Sequence, residues 1–188
     1  MFFAPKPMQQ REPQQPDLSP EKVVWLTRAI VEYIHTQRVR YLPNAAPLSF
    51  SEVWSRFFPV ADLERIRILQ PGLERVQNPP FYAELEKLGF TGLPDFTTMA
   101  AITYDEVVVF HEPLTPQLIF HELVHVVQYR LLGIEQFARL YIRGYLQGGY
   151  DGTPLEVCAY QLDGRFLMGS IGFDVEAEVR GWIDSGRF

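Results

Sequence analysis

The first regular pattern of apolar positions lies in the N-terminal third of the chain. Ser19 offers a capping side chain, and Pro20 suits the first turn of a helix. After them, apolar residues recur at helical spacing, at Val23, Leu26, Ile30 and Tyr33. The pattern predicts an amphipathic helix from residue 20 to about 38, with one face in the core.

Shorter elements follow this helix. Ser49-Phe50-Ser51-Glu52 has the form of a capping box, which predicts a short helix that Pro59 ends. Residues 64–69 then alternate polar and apolar side chains up to the turn at Pro71-Gly72. This alternation predicts a strand with one face in water.

The middle of the chain combines a weak helix with a strand pair. Residues 80–88 favour a helix, and the Gly- and Pro-bearing residues 89–95 favour a loop. Residues 101–110 are rich in apolar and β-branched side chains, interrupted by Tyr104-Asp105-Glu106. We expect two short strands joined by a turn or bulge at that interruption.

The C-terminal half is predicted to be mostly helical. Thr115 and Pro116 mark the start of a helix over 116–132, and Gly133 marks its end. An intervening segment leads to a second helix over 154–167, and a last helix is expected near 174–184. The order of elements predicts an α+β, helix-rich single domain with a small sheet just before helix 116–132.

Composition and charge limit the class of protein. Residues 1–18 are rich in Pro and Gln and predict a flexible tail, which leaves 19–188 as one domain. The net charge of −6 argues against nucleic-acid binding, which needs clustered Lys and Arg. Cys158 has no partner for an internal disulfide, and no secretory signal or long apolar run is found. We expect a cytoplasmic protein without a membrane span.

Helix 116–132 carries the chain's strongest chemical motif, H-E-x-x-H. His121 and His125 are four residues apart, so both imidazoles lie on one helix face and can share a zinc ion. Glu122 is rotated by about 100° from His121, which places it beside the ion. From there it can act as general base on zinc-bound water. Burying these groups unpaired in an apolar helix would cost several kcal/mol, which favours a metal site over packing.

A third protein ligand is expected, because catalytic zinc usually has three. Glu156 is a candidate, since helix 154–167 could pack antiparallel to the first and point this carboxylate at the ion. An alternative of equal weight is that Glu156 bonds back to the backbone at the start of its own helix, because Thr153-Pro154-Leu155-Glu156 is also a capping box. The other residues considered as ligands are Glu135, Asp151, His35 and His111.

The two motifs together resemble a known family. HELVHVVQY, followed by PLEVCAY about 30 residues later, is similar to the minimal gluzincin metallopeptidases of bacteria. The resemblance covers roughly residues 60–168 and includes the two upstream strands. It implies a zincin-like domain in which His121, His125 and Glu156 bind Zn²⁺ and Glu122 is the general base.

One position departs from the larger gluzincins. Those proteins have an Asp four residues after the ligand Glu, supporting a zinc histidine, whereas this chain has Tyr160. Either Tyr160 or Gln128, one turn beyond His125, could give that support. Tyr160, Tyr150 and His111 are the candidates for stabilising an oxyanion.

These patterns predict a zinc-dependent hydrolase, most simply a metallopeptidase acting on a peptide or protein. Glu122 would take a proton from the water nucleophile and return it to the leaving amine. The alternative is a catalytically silent metal-binding or protein-interaction domain of the same fold. The presence of Glu122 favours the enzyme, because a silent domain could dispense with this residue.

Overall fold

The computed structural model describes residues 18–49, 52–150, 152–169 and 171–188. These residues form eight α-helices and one four-stranded mixed sheet, which confirms the predicted α+β class. The helices are α1 (Pro20–Tyr41), α2 (Glu52–Ser55), α3 (Val60–Arg65), α4 (Tyr82–Lys87), α5 (Pro116–Leu132), α6 (Ile134–Gly148), α7 (Pro154–Leu167) and α8 (Val175–Asp184). The strands are β1 (Ala46–Pro47), β2 (Arg67–Leu69), β3 (Ala101–Tyr104) and β4 (Val107–Phe110).

The sheet has the order β1-β2-β4-β3. β1 and β2 are antiparallel, β2 and β4 are parallel, and β3 and β4 form a hairpin in which Ile102 pairs with Val109. Asp105, in the hairpin turn, has a φ of 58°, in the left-handed region that Asp tolerates. All residues of β3 and β4 are buried, so this hairpin forms the sheet side of the core.

Helix α5 lies in the centre of the molecule. Thr115 Oγ1 accepts a hydrogen bond from the Leu118 N–H at its start, and Gly133, with a φ of 75°, ends it. Every residue from 120 to 129 is buried, and α5 packs against β3, α6, α7 and α8. The side chains of the H-E-x-x-H motif therefore lie in the interior.

Most of the other predicted elements are confirmed. Residues 80–88, 101–110, 154–167 and 174–184 contain α4, the β3–β4 hairpin, α7 and α8. Helix α1 has its predicted start and continues three residues further, to Tyr41. Of the predicted N-terminal tail, residues 1–17 lie outside the described residues, as do Phe50 and Ser51 of the predicted capping box.

The prediction of one strand over 64–69 is wrong in its first part. Residues 60–65 form α3, and only 67–69 are a strand, placed between β1 and β4 with half-buried side chains. The helix is favoured because it buries Leu63 and brings the Asp62 carboxylate to 2.9 Å from Arg130 Nε on α5. Tertiary contacts thus override the local alternation.

The segment between α5 and α7, for which no element was predicted, is a further helix, α6. Its signal was present, because Ile134, Phe137, Tyr141 and Tyr145 recur at helical spacing. A Cβ added at Gly144 would lie 2.5 Å from Pro154 Cδ, so this glycine allows α6 to approach the start of α7 closely. Among the described residues, no helix is long and apolar enough to cross a lipid bilayer.

Candidate metal centre

Three side chains converge between α5 and α7. His121 Nε2 and His125 Nε2 are 3.2 Å apart, and Glu156 Oε2 lies 3.4 Å from the first and 3.5 Å from the second. All three residues are buried. Their ligand atoms therefore form a nearly equilateral triangle in the interior and could hold a metal ion.

The spacing of this triangle fits a tetrahedral ion. Ligands about 2.0–2.1 Å from zinc at tetrahedral angles lie roughly 3.3–3.4 Å from one another. Glu156 Oε2 is also buried without a conventional hydrogen bond. A buried carboxylate oxygen without such a donor is costly, and a cation at the centre of the triangle would satisfy it.

The capping-box alternative for Glu156 is not formed. The Thr153 hydroxyl donates to Gly149 O at 3.1 Å and makes no cap on its own helix. The Glu156 carboxylate points away from the helix start, at the two histidines. The first turn of α7 thus delivers a carboxylate to the α5 motif.

Gln128 supports one of the histidines. His125 Nδ1 donates to Gln128 Oε1 at 2.8 Å, and Gln128 Nε2 donates to the Leu155 carbonyl at 2.9 Å. Gln128 is fully buried. With the proton on Nδ1, the lone pair of neutral His125 is on Nε2 and faces the triangle, as a metal ligand requires.

Asp163 supports the other histidine, a role that was not predicted from the sequence. Its Oδ2 accepts from His121 Nδ1 at 3.1 Å, and both side chains are buried. Asp163 follows Glu156 by seven residues, two helical turns, whereas the larger gluzincins use a spacing of four. The available signal was that Asp163 shares a face of α7 with Glu156.

The electrostatics of the cluster reflect mutual ion pairing. Burial by itself lowers the pKa of His121, but its contacts with Asp163 and Glu156 outweigh burial and raise the pKa to about 10. The pKa of His125 is likewise raised, since the charge of Glu156 overrides burial. Burial opposes ionisation of Glu156, yet both histidines hold its pKa well below the usual range. Without a metal, protons on the imidazoles take the place of the cation.

Glu122 is held by the sheet. Thr103 Oγ1 on β3 donates to Glu122 Oε2 at 2.6 Å, and both side chains are buried. The carboxylate lines the same cavity as His121, His125 and Glu156 and is not one of the three corners of the triangle. The structure therefore gives Glu122 a fixed position beside the histidines, through a residue that sequence spacing did not identify.

The three oxyanion candidates occupy different places. Tyr150 lines the same cavity as Glu122 and Glu156. Tyr160 is half exposed and packs its ring 4.7 Å from the His121 ring. His111 Nε2 accepts from the Val76 N–H at 3.3 Å, and His111 is not among the residues that line the cavity.

The remaining alternative ligands are not brought to the triangle. His35 is exposed on α1, and exposed Glu135 pairs with Arg139 on α6 at 2.7 Å. Asp151 lies outside the described residues.

Comparisons with known protein families, with curated proteins and with solved structures give no match to this chain.

Proposed function

We propose that this chain is a zinc-dependent peptidase in which His121, His125 and Glu156 hold the ion. The observation that carries the proposal is the triangle of two imidazole nitrogens and one carboxylate oxygen, 3.2–3.5 Å on each side, with Glu122 beside it. Two nitrogen donors and one oxygen donor form a set that suits zinc. Gln128 and Asp163 each accept a hydrogen bond from one of the histidines, and contacts of this kind orient metal ligands.

The positions of these residues indicate the chemical role of each one. A bound zinc ion would polarise the substrate carbonyl and lower the pKa of a water molecule. Glu122 would accept the proton of the attacking water and then donate it to the leaving amine, so the carboxylate ends unchanged. The Thr103 hydroxyl keeps this carboxylate in place by bonding one of its oxygens.

Tyr150 is the oxyanion candidate that the geometry favours. It lines the cavity shared by Glu122 and the three ligands, whereas Tyr160 and His111 do not line it. The pKa of Tyr150 is raised far above its usual value by burial and by the charge of Glu156, so its hydroxyl keeps its proton. A protonated phenol can donate to a developing negative charge.

The proposal is tested by combining zinc analysis with peptide hydrolysis. Wild type should bind about one zinc per chain and cleave members of a mixed peptide library, as detected by mass spectrometry. Glu122→Gln should keep the zinc and lose at least about two orders of magnitude in turnover. His125→Ala should lose the zinc. Equal zinc in wild type and His125→Ala, or undiminished cleavage by Glu122→Gln, would overturn the proposal.

A further inference from the structure

A cavity extends from the candidate metal centre towards α1, α4 and α6. Its volume is about 140 Å³. His121, Glu122, His125 and Glu156 form one part of its wall, and side chains of α1, α4 and α6 form another. Protein interiors leave few voids larger than a water molecule, and an apolar cavity of about 150 Å³ can hold a molecule the size of benzene. This space is therefore large enough for one aromatic ring or an aliphatic group of similar size.

The cavity wall is strongly aromatic. Seven of the nine tyrosines of the chain line it, although they come from positions between 33 and 150. Several of their hydroxyls are already bonded to the protein: Tyr33 donates to Gln77 O at 3.1 Å, and Tyr145 donates to Thr91 O at 3.1 Å. These residues therefore offer their rings to the cavity, and rings favour apolar and aromatic contacts.

The charged groups of the wall are confined to the candidate centre. Among its described residues there is no Lys or Arg, and its two carboxylates are Glu122 and Glu156 at the candidate centre. Away from His121 and His125 of the candidate centre, an anionic group would have no cationic side chain in that wall to compensate its desolvation. A cationic group would be equally poorly solvated by the aliphatic side chains away from the centre, such as Leu26, Ile30 and Leu146. An uncharged group avoids both costs.

We propose that this cavity binds a bulky, uncharged apolar group of the substrate, adjacent to the bond that is hydrolysed. The identification of this ligand as a substrate rests on the proposed function, whereas binding of the apolar group does not require zinc. Two sources share the chemistry: a large aromatic or aliphatic side chain of a peptide, or an acyl chain. Burial of such a group supplies about 25 cal/mol per Å² of apolar area, enough to select it over a small or charged one.

A neutral apolar fluorophore, N-phenyl-1-naphthylamine, tests the cavity directly. The full-length protein should bind it with and without zinc. Ile30→Trp on α1 and Leu146→Trp on α6 fill the space from different helices, and each should weaken probe binding at least tenfold. Val39→Trp is the matched control, because Val39 lies on α1 with 65% exposure. It should leave binding unchanged.

Circular dichroism and zinc content show whether each variant is folded. If one of the two filling variants does not fold, the other still tests the cavity. Absence of probe binding to the wild type would overturn the proposal. So would equal binding by wild type and by both folded filling variants.

Competitors then distinguish the chemistry of the ligand. N-acetylphenylalanine amide or decanamide should displace the probe, and the stronger of the two identifies the source as a side chain or an acyl chain. N-acetyllysine amide and N-acetylglutamate amide should displace it at least tenfold more weakly. Equal displacement by the charged amides would overturn the selection of an uncharged group.

The outcome is separable from that of the proposed function. If the probe binds in the cavity but the protein holds no zinc and cleaves nothing, the hydrolase proposal fails while the apolar site stands. If zinc binding and cleavage are found without probe binding, the hydrolase proposal stands and the apolar site fails.

Discussion

The Thr103 hydroxyl donates a 2.6 Å hydrogen bond to the Glu122 carboxylate, joining the hairpin strand β3 to the central helix α5. Both side chains are buried, so the bond is shielded from competing water. It fixes one oxygen of the proposed general base. Thr103 is therefore a positioning residue, which acts through Glu122.

Replacing Thr103 separates positioning from metal binding. Thr103→Val removes the hydroxyl at similar volume, and we expect turnover to fall about 10- to 100-fold because the carboxylate loses its orientation. Zinc content should be unchanged. Thr103→Ser keeps the donor and should retain most activity. Steady-state kinetics check both variants, and equal losses in Val and Ser variants would assign Thr103 to packing alone.

Asp163 is expected to set zinc affinity through His121. Asp163→Asn removes the charged acceptor of the His121 Nδ1 proton, and loss of such a partner typically costs 10- to 100-fold in metal affinity. A chelator competition titration measures the change. Asp184→Asn, an exposed position at the end of α8, is the control and should have no effect. Unchanged affinity in Asp163→Asn would show that this hydrogen bond does not support the site.

Zinc affinity should rise with pH. In the metal-free protein, burial opposes protonation of His121, but contacts with Asp163 and Glu156 raise its pKa to about 10. Zinc must displace that proton, so below about pH 10 the apparent affinity increases roughly tenfold per pH unit for each proton released. Chelator titrations at several pH values check this. A flat profile would contradict the ion-paired state of the metal-free cluster.

The same pKa shift should make the metal-free protein less stable as pH rises. The folded pKa of His121 is above its unfolded value of about 6.5, so the stabilisation is fully present below about pH 6.5 and is lost as pH rises towards about 10. Urea unfolding of the metal-free protein should therefore show stability declining across that range. Stability that increases across it would contradict the assignment.

Cys158 reports whether α7 stays docked. Its side chain is fully buried, and burial raises the pKa of the thiol to about 12. A thiol reagent at neutral pH should therefore react with it only when the protein opens, in the presence or absence of zinc. Reaction as fast as that of a free thiol in the native protein would show that α7, which carries Glu156, is not held as described.

The centre of the fold could be predicted because its signals are local. The caps of α5 at Thr115 and Gly133 fix that helix, and helical geometry alone places His121 beside His125. The strand pair before it, β3 and β4, could be predicted from its apolar runs and its turn. These elements depend little on what packs against them.

The supporting contacts could not be predicted because they join distant parts of the chain. Thr103 meets Glu122 only through the packing of β3 on α5, and Asp163 meets His121 across the α5–α7 interface. Glu156 had two local interpretations that spacing alone did not separate. The tyrosines of the cavity are likewise assembled by tertiary packing, and helical spacing connects only Tyr141 and Tyr145 on α6.

X-ray absorption at the zinc edge of the wild-type protein tests the central proposal most directly. We expect one tightly bound zinc with two imidazole nitrogens and carboxylate oxygen at about 2.0–2.1 Å. In Glu156→Ala the same measurement should retain the two imidazoles and lose the carboxylate, at reduced affinity. A wild-type protein that takes up no zinc, or zinc without imidazole scattering, would contradict it.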